Sequence, residues 1–197
     1  MPRAKWRRRA LATMTVAALA LVALPAVAGA ACQPGELSTP FAQFGDNASY
    51  TPAPGGSFDT NGAGWSLRGA EVAAGSWSDG ATTGSHYLAI APGGSAASPW
   101  VCVSSEYPTF RFFERQASGT APLNASLRWV DLLGLTVETS VGSVQSGGVW
   151  SPSPVLNFGD EVPIWLPGSS AAVALVFSSP HSAAWDVDDV YIDPYSR

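Results

Sequence analysis

Two groups of acidic and amide side chains have the composition of a calcium site. Asp59 and Asn61 are followed by a turn glycine, and Asp188, Asp189 and Asp193 supply three more carboxylates near the end of the chain. Calcium takes roughly six to eight oxygen ligands, so these five residues could form one cage if the two ends of the chain meet. The sequence therefore predicts one structural Ca²⁺. The alternative is that Asp59 caps a turn and some of the other aspartates face solvent.

The second group lies in the last apolar stretch, which reads as a closing β-strand rich in aromatic and β-branched residues. Trp185 and Val187 alternate with acids, but Val190 resumes the apolar pattern on the opposite parity. Such a slip flips side chains between the faces of a sheet unless a β-bulge absorbs it. The adjacent Asp188 and Asp189 also repel each other unless a cation or donor groups neutralise them.

Several tryptophans have the chemistry to bind sugars, because a planar indole stacks on a sugar ring while its N–H bonds a hydroxyl. Four lie among Gly, Ser and Pro rather than in alternating strands: Trp77, Trp100, Trp150 and Trp165. Trp77, beside Asp79 in a polar loop, is the one most expected to be exposed. The alternative is that tryptophans fill the core and corners of a sandwich, to which Trp65, Trp129 and Trp185 are assigned.

Arginines complete the predicted ligand-binding set. Arg111 and Arg115 alternate with phenylalanines near Glu114, which predicts a polar stripe on an exposed sheet face. Arg128 lies on the outer side of its strand and is expected to join them in a concave binding face. The alternative is a set of solvated ion pairs that contribute little. The predicted ligand-binding residues are Trp77, Asp79, Trp100, Trp150, Arg111 and Arg128.

Motifs of enzymatic catalysis are absent from the sequence. We find no nucleophile elbow, zinc-binding helix motif, glycine-rich phosphate loop or metal-spaced Cys/His cluster. The two histidines, His86 and His181, are far apart, and His86 shares strand parity with apolar residues, which indicates a structural role. We predict no catalytic residues. A dispersed pair of carboxylates, as in glycoside hydrolases, remains the alternative.

Residues 1–30 have the organisation of a secretory signal peptide, with a basic start, an apolar run and a small-residue end. The apolar run is shorter than the roughly 20 residues of a membrane span, which favours cleavage over an anchor. We therefore predict a protein secreted by a bacterial cell, with residues 31–197 as a single domain.

The charge outside the signal excludes several partners. That part of the chain has five arginines and no lysine against fifteen acids, a net charge of −10. Nucleic acid and anionic membranes both require basic patches, so neither is an expected partner. Cations and neutral polymers such as glycans are compatible with this charge.

Two cysteines, Cys32 and Cys102, remain in the predicted exported protein. An even pair in an oxidising compartment predicts a disulfide. It would stabilise the fold by roughly 4 kcal/mol in the chain-entropy model. The alternative is that Cys32 is the lipidated first residue of a lipoprotein, which would leave Cys102 as a thiol.

The pattern of short apolar segments predicts an all-β fold. Gly, Pro, Ser and Asn separate these segments at frequent intervals, and no helical period persists, which is typical of an antiparallel sandwich or barrel. Leu123 to Trp129 alternates most clearly, Ala171 to Phe177 suits a central core strand, and Ser57 to Asp59 is predicted to begin an early strand.

The two ends of the chain resemble a known family. Gly56-Ser-Phe-Asp59 with Trp65, and the late Trp185-x-Val-Asp-Asp-Val-Tyr-x-Asp193, are similar to the ends of galactose-binding-domain-like jelly-rolls. Many non-catalytic carbohydrate-binding modules have this frame, and the chain also resembles small secreted actinobacterial proteins of unknown function. The resemblance implies a two-sheet β-sandwich whose terminal strands lie side by side, often with a structural calcium ion near their meeting point. Asp59 stands where the modules more often have Glu.

These observations predict a secreted, monomeric, non-catalytic binding module. The favoured partner is a polysaccharide of the cell envelope or extracellular matrix. The first alternative is a structural or adhesion protein that binds another protein, with its tryptophans all internal. The second is an unrecognised hydrolase with convergent acids in a cleft.

Overall fold

The computed structural model describes residues 35–77, 84–104, 109–131, 133–157 and 170–193, which are mostly β-structure. A short 3₁₀ helix, Ala42–Phe44, precedes the strands. The strands are β1 (Thr51–Pro52), β2 (Ser66–Ala74), β3 (His86–Ala97), β4 (Val101–Ser104), β5 (Thr109–Gly119), β6 (Leu123–Val130), β7 (Thr136–Val144), β8 (Ser151–Pro152), β9 (Leu156–Asn157), β10 (Ser170–Ser178) and β11 (Ala183–Asp193). Among the described residues, no helix has the length and apolar character needed to cross a membrane.

The strands form an antiparallel sheet that divides into two layers at β3. Its main order is β7-β6-β10-β3-β11-β5-β8, and β2, β4, β1 and β9 pair with β3, β10, β11 and β5 respectively. The first half of β3 pairs with β11 and its second half with β10. We call β7, β6, β10 and the second half of β3 the first sheet. The second sheet comprises the first half of β3, β11, β5 and β8.

One apolar core lies between the two sheets. Leu127 and Phe177 of the first sheet and Phe112 and Trp185 of the second are all fully buried. The rings of Phe112 and Phe177 meet edge to face, with 4.7 Å between centroids. Strand side chains alternate between faces, so each sheet places one apolar set in this core. The predicted two-sheet antiparallel β-sandwich is confirmed.

Strand β6 has the alternation expected from its sequence. Leu123, Ala125 and Leu127 are buried, whereas Asn124 is exposed. The core assignments of Trp65 and Trp185 are also confirmed. Trp129 is only partly buried and packs against the edge of the core.

The closing strand β11 contains a bulge at the predicted position. Its pairing with β5 shifts register between Asp188 and Tyr191, and Asp189 has a left-handed φ of 46°. Aspartate is among the few residues that enter this region without a large penalty. The bulge lets Val187 and Val190 both face the core despite their opposite parity.

The early segment lies beside β11, as the family resemblance implies. The Val190 amide donates to the Gly56 carbonyl at 3.0 Å, and the Ala53 amide donates to the Val190 carbonyl at 2.8 Å. The predicted strand from Ser57 to Asp59 is wrong, because successive turns carry this segment. Phe58 has a φ of 58°, and its amide donates to the Gly55 carbonyl.

A second apolar cluster covers part of the outer face of the second sheet. Phe113 and Tyr191 point outward there, and Phe41, Tyr50 and Trp77 pack over them. The segment from Phe41 to Tyr50 and the segment that contains Trp77, both of which precede β3, thus cover one part of this face.

Candidate functional site

Asp188 and Asp189 are buried together with Ser76 and Trp77, a group that we call the clasp. The Trp77 amide and the Ser76 hydroxyl each donate to Asp188 Oδ2 at 3.2 Å. The Asp189 amide donates to Asp188 Oδ1 at 2.8 Å, and Trp77 Nε1 donates to Asp189 Oδ2 at 2.9 Å. Protein donors therefore offset the repulsion between the adjacent acids.

The clasp changes the acidity of its members. Burial, followed by the charge of Asp189, raises the pKa of Asp188 to about 7, against the opposing effect of its hydrogen bonds. Burial also raises the pKa of Tyr191, and the charges of Asp189 and Asp188 add to this rise. Asp188 therefore changes its protonation state near neutral pH.

The predicted exposure of Trp77 is wrong. Its side chain is 3% exposed and stacks on Phe113. The indole turns inward because its N–H supplies a buried donor to Asp189. A buried indole has no free face for a sugar ring, so Trp77 is a structural residue. Asp79, predicted beside it, lies outside the described residues.

The five predicted calcium ligands are not gathered into one cage. Asp59 Oδ1 accepts hydrogen bonds from the Ser85 amide at 2.6 Å and the Ser85 hydroxyl at 3.0 Å. Burial opposes ionisation of Asp59, but these bonds and His86 lower its pKa. Asp188 is bonded instead within the clasp.

Metal-ligand geometry is therefore incomplete in the described part of the chain. No group of three or more His, Cys, Asp or Glu side chains there is placed to hold a metal ion. Asn61 lies in the turn after Asp59 with a φ of 55°, and Asp193 is buried at the end of β11. The residues described do not fit the predicted cage, and calcium binding itself stays a prediction.

Arg111 does not lie on an exposed stripe, contrary to prediction. It is 8% exposed, and its Nη1 donates to Asp46 Oδ2 at 2.7 Å. Nε and Nη2 donate to the Ser153 carbonyl at 2.9 and 2.6 Å, and the guanidinium lies 4.3 Å from the centroid of the Phe41 ring. Residues 41–50 cover this part of the sheet, which sequence periodicity could not reveal. Glu114 is buried as well.

Arg128 is on the outer side of its strand, as predicted, and lines a polar groove on the first sheet. The prediction that it joins Arg111 and Arg115 is wrong, because those residues lie on β5 in the second sheet. This first groove has a volume of about 290 Å³, and Arg68, Ser66 and Ser95 also line it. Val176 faces the groove and is only 4% exposed, so it forms the floor. Arg128 Nη2 donates to Glu138 Oε2 at 2.9 Å in a half-exposed ion pair.

Trp100 is exposed, with 50% of its surface accessible. It directly precedes β4, where Val101 pairs with Val173, and the next residue of β10, Ala174, pairs with Arg128. Trp100 therefore lies near the level of Arg128 along β10, in the irregular link between β3 and β4. It is not one of the residues that line the first groove.

Trp150 lies on the other sheet, apart from Trp100. The Arg115 guanidinium lies 4.8 Å from the Trp150 ring centroid, and Tyr87 approaches the indole edge to face at 5.7 Å. Arg115 Nε donates to Asp186 Oδ2 at 2.6 Å. Trp150 is half-buried by these contacts.

Of the remaining predicted residues, only some lie in the described part of the chain. Cys102 is exposed on β4, but Cys32, its predicted disulfide partner, lies outside the described residues, as do Trp165 and the predicted signal peptide. The disulfide, the lipid-anchor alternative and the cleavage site stay predictions.

Sequence reasoning missed Arg68 as a groove residue. A bulge between Arg68 and Ala70 breaks the alternation of β2, so parity along this strand does not show which face Arg68 occupies. The scarcity of cationic residues could have drawn attention to Arg68. The described residues contain only four arginines: Arg68, Arg111, Arg115 and Arg128.

Several solved structures with a similar fold are carbohydrate-binding modules, and another is the enzymatically active domain of a bacteriophage tailspike protein. The chain is similar to the tandem CBM22-1–CBM22-2 domains of Paenibacillus barcinonensis Xyn10C, with a TM-score of 0.50 and 18% identity. The match covers 71% of this chain and 44% of that chain. The chain has the jelly-roll fold of carbohydrate-binding modules. At this identity the similarity establishes the fold alone.

Two further similar structures contain bound sugars. One is the CBM22-1–GH10 part of Clostridium thermocellum xylanase 10B with xylohexaose (TM-score 0.49, 15% identity, 69% of this chain and 27% of that chain). The other is TmCBM61 with β-1,4-galactotriose (TM-score 0.44, 14% identity, 70% of this chain and 94% of that chain). The chain thus spans about a quarter of the xylanase chain. No protein-family model matches the chain, and no curated protein matches it in sequence.

Proposed function

We propose that the protein is a non-catalytic carbohydrate-binding module whose saccharide lies in the first groove. The observation that carries this proposal is the convergence of Arg68, Arg128 and two serines in one groove on an open sheet face. Trp100 is exposed just before β4, which pairs with the same strand β10 as Arg128 does. An exposed indole offers a flat apolar surface to the C–H face of a sugar ring. The guanidinium and hydroxyl groups offer hydrogen bonds to its oxygens.

The two arginines differ in how much of their charge is already neutralised. Arg128 pairs with Glu138, whereas Arg68 is exposed and forms no ion pair with any other described residue. A guanidinium has five N–H donors, so one ion pair leaves donors of Arg128 available. The first groove is therefore rich in donors, which suits the ring and hydroxyl oxygens of a glycan and the carboxylates of uronic acid units.

The state of the buried acids supports a binding role rather than catalysis. Asp188 and Asp189 are enclosed by Trp77 in the clasp. Hydrolysis requires carboxylates that reach the scissile bond. Incubation with polysaccharides should release no new reducing ends, and steady release by the purified protein would support the hydrolase alternative.

We further propose that the protein acts outside the bacterial cell on a polysaccharide of the envelope or matrix. The signal-like residues 1–30 and the acidic, lysine-free remainder of the chain support this setting. We also propose that the protein binds its ligand as a monomer. Sizing of the secreted protein, with N-terminal sequencing, tests cleavage and oligomeric state together.

A glycan array tests the binding function. We expect the wild type to bind a set of polysaccharide fragments and Trp100→Ala to lose about 2 kcal/mol, or roughly 30-fold in affinity, as for an aromatic contact at the centre of recognition. Leu133→Ala is the matched control, because Leu133 is an exposed apolar residue on the β6–β7 turn. Absence of glycan binding by folded protein, or equal binding of every glycan by all three, would contradict the proposal.

The competing function is adhesion to another protein, which the β6–β7 turn favours. Val130, Leu133 and Leu135 are all well exposed there, and such apolar groups mark some protein contacts. Attachment of labelled protein to intact cells separates the two functions. Adhesion through the turn would be lost in Leu133→Ser and retained in Trp100→Ala, whereas glycan binding requires the reverse.

We also propose, separately from glycan binding, that the protein binds one structural calcium ion. Its support is the meeting of Gly56 with Val190, which places the early segment beside the aspartates of β11. If an ion binds, a chelator lowers the melting temperature and added Ca²⁺ restores it. An unchanged melting temperature in both steps would remove calcium from the account.

A further inference from the structure

A second groove lies on the outer face of the second sheet, on the opposite side of the sandwich from the first groove. Its volume is about 500 Å³, and Ala89, Ala117 and Ala184 of three neighbouring strands form much of its lining. Small-molecule sites typically have volumes of roughly 300 to 1,000 Å³. The groove is therefore large enough for a sugar unit, and its floor is mainly apolar.

One row of cross-strand neighbours contains the two acids that line this second groove, Glu71 and Asp186, and ends at Arg115. Glu71 pairs with Ala89, Ala89 with Asp186, and Asp186 with Arg115. Directly opposed residues point to the same face of a sheet. Two carboxylates and one guanidinium therefore stand in line across four strands, with the exposed Glu71 at the rim.

Asp186 presents an unused acceptor to the groove. Its side chain is 6% exposed and lines the groove, and Oδ2 accepts the hydrogen bond from Arg115 Nε. Oδ1 accepts no hydrogen bond from any described residue. Burial raises the pKa of Asp186 against the opposing effect of Arg115. A carboxylate oxygen that faces a groove is available to accept a hydrogen bond from water or a ligand.

Arg115 is held in place before any ligand arrives. Its guanidinium carbon lies 4.8 Å from the Trp150 ring centroid and 5.4 Å from that of Tyr87, and Asp186 fixes its Nε. Such cation–π contacts and the ion pair restrict its rotamers. Because Arg115 holds the Asp186 carboxylate, less entropy is lost when Asp186 accepts a hydrogen bond from a ligand.

We propose that the second groove is an additional saccharide-binding site that takes a neutral sugar unit. The C–H face of the sugar lies on the alanine floor, and its hydroxyl groups donate to Asp186 Oδ1 and to Glu71. The two carboxylates exceed the single guanidinium by one negative charge, which disfavours anionic sugars. The acceptor-rich second groove thus complements the donor-rich first groove.

Two saccharide sites on opposite faces give the molecule a property that a single cleft lacks. One chain could hold two glycan strands at once, or gain avidity on a matrix that reaches both faces. The second groove is separate from the first, so the proposed site there does not depend on glycan binding in the first groove.

The test uses an array of neutral oligosaccharides from β-glucan, xylan, mannan and galactan. Ala117→Trp fills the second groove from an exposed position, and Glu71→Gln removes the rim charge without affecting a buried group. Thr136→Trp, at an exposed position on β7, controls for the added indole. Melting temperature confirms that each variant is folded.

We expect the wild type and Thr136→Trp to bind at least one neutral oligosaccharide through the second groove. Ala117→Trp should weaken that binding by at least about tenfold, because the indole occupies the space of the ligand. Trp100→Ala should leave it unchanged. Equal binding by Ala117→Trp, complete loss in Trp100→Ala, or no neutral ligand for the wild type would each overturn the second site. Loss in Trp100→Ala would still support the first groove.

Discussion

The charged and aromatic residues of this protein divide by their surroundings into structural and accessible groups. Trp77, Arg111 and Asp188 are all buried, and each satisfies a buried partner. Trp100 and Arg68 have the same chemistry but remain accessible on a sheet face. Residue type alone therefore does not identify the binding groups, whereas burial separates them.

Removing the indole N–H of Trp77 tests the clasp. Trp77→Phe retains the aromatic ring against Phe113 but deletes the donor to Asp189. We expect the free energy of unfolding to fall by about 1–3 kcal/mol, the usual cost when a buried polar group loses a hydrogen bond. Urea denaturation measures it. The exposed counterpart, Trp100→Phe, should change it by less than about 0.5 kcal/mol. Equal midpoints for wild type and Trp77→Phe would contradict this role.

Asp188 should make stability depend on pH. Its pKa is raised on folding from 3.8 to about 7, so protonated Asp188 stabilises the folded state. This contribution is complete below the unfolded-state pKa and is lost as pH rises through about 7. The free energy of unfolding should decline over this window more steeply in wild type than in Asp188→Asn.

Urea denaturation at a series of pH values measures the difference between the two proteins. Other buried acids, including Glu114, titrate in both and cancel in the comparison. Glu138→Gln, at a half-exposed position, is the control and should follow the wild type. Parallel curves for wild type and Asp188→Asn would show that Asp188 does not titrate in this range.

At the scale of elements, the segment from Phe41 to Tyr50 determines how much of the second sheet is available. Phe41 packs on Phe113, and Asp46 pairs with Arg111 beneath it. The segment covers one part of the outer face, while the alanine-lined groove occupies another. Attachment of this segment therefore determines which residues of the sheet reach solvent.

Breaking the ion pair under this segment should loosen it. Arg111→Ala leaves Asp46 without its nearest guanidinium in a mostly buried position. We expect a loss of about 3–5 kcal/mol, typical of a buried pair with one member removed. Amide hydrogen exchange should rise first between Phe41 and Tyr50. Arg128→Ala, at a half-exposed pair, should cost no more than about 1 kcal/mol. Similar effects of both variants would contradict the anchoring role.

Local sequence patterns predicted the strands and the bulge because those features depend on neighbouring residues. Alternation identified β6, and the parity slip located the bulge at Asp188–Asp189. The exposure of Trp77 could not be predicted in this way. Its burial depends on contacts with Phe113 and Asp189, which are distant in sequence. The same limitation hid Arg68 and the burial of Arg111.

At the scale of the whole molecule, the sandwich presents two different grooves on its two outer faces. The first is lined by Arg68 and Arg128, and the second by Glu71 and by Asp186, which Arg115 holds from outside the groove. Outside residues 1–30 the chain is strongly acidic, so the arginine-lined groove is a local exception to the overall charge. This asymmetry supports glycan binding better than binding to an extended polyanion.

The most direct test of glycan binding in the first groove is an NMR titration of the ¹⁵N-labelled protein with a polysaccharide fragment selected on the array. The account predicts that the largest amide shifts occur at Ser66–Arg68, Ser95–Ala97 and Ser126–Arg128, together with the indole N–H of Trp100. The same titration of Trp100→Ala should show these shifts only at much higher ligand concentration. Unchanged amide signals in these three segments, while the glycan binds elsewhere or not at all, would contradict the account.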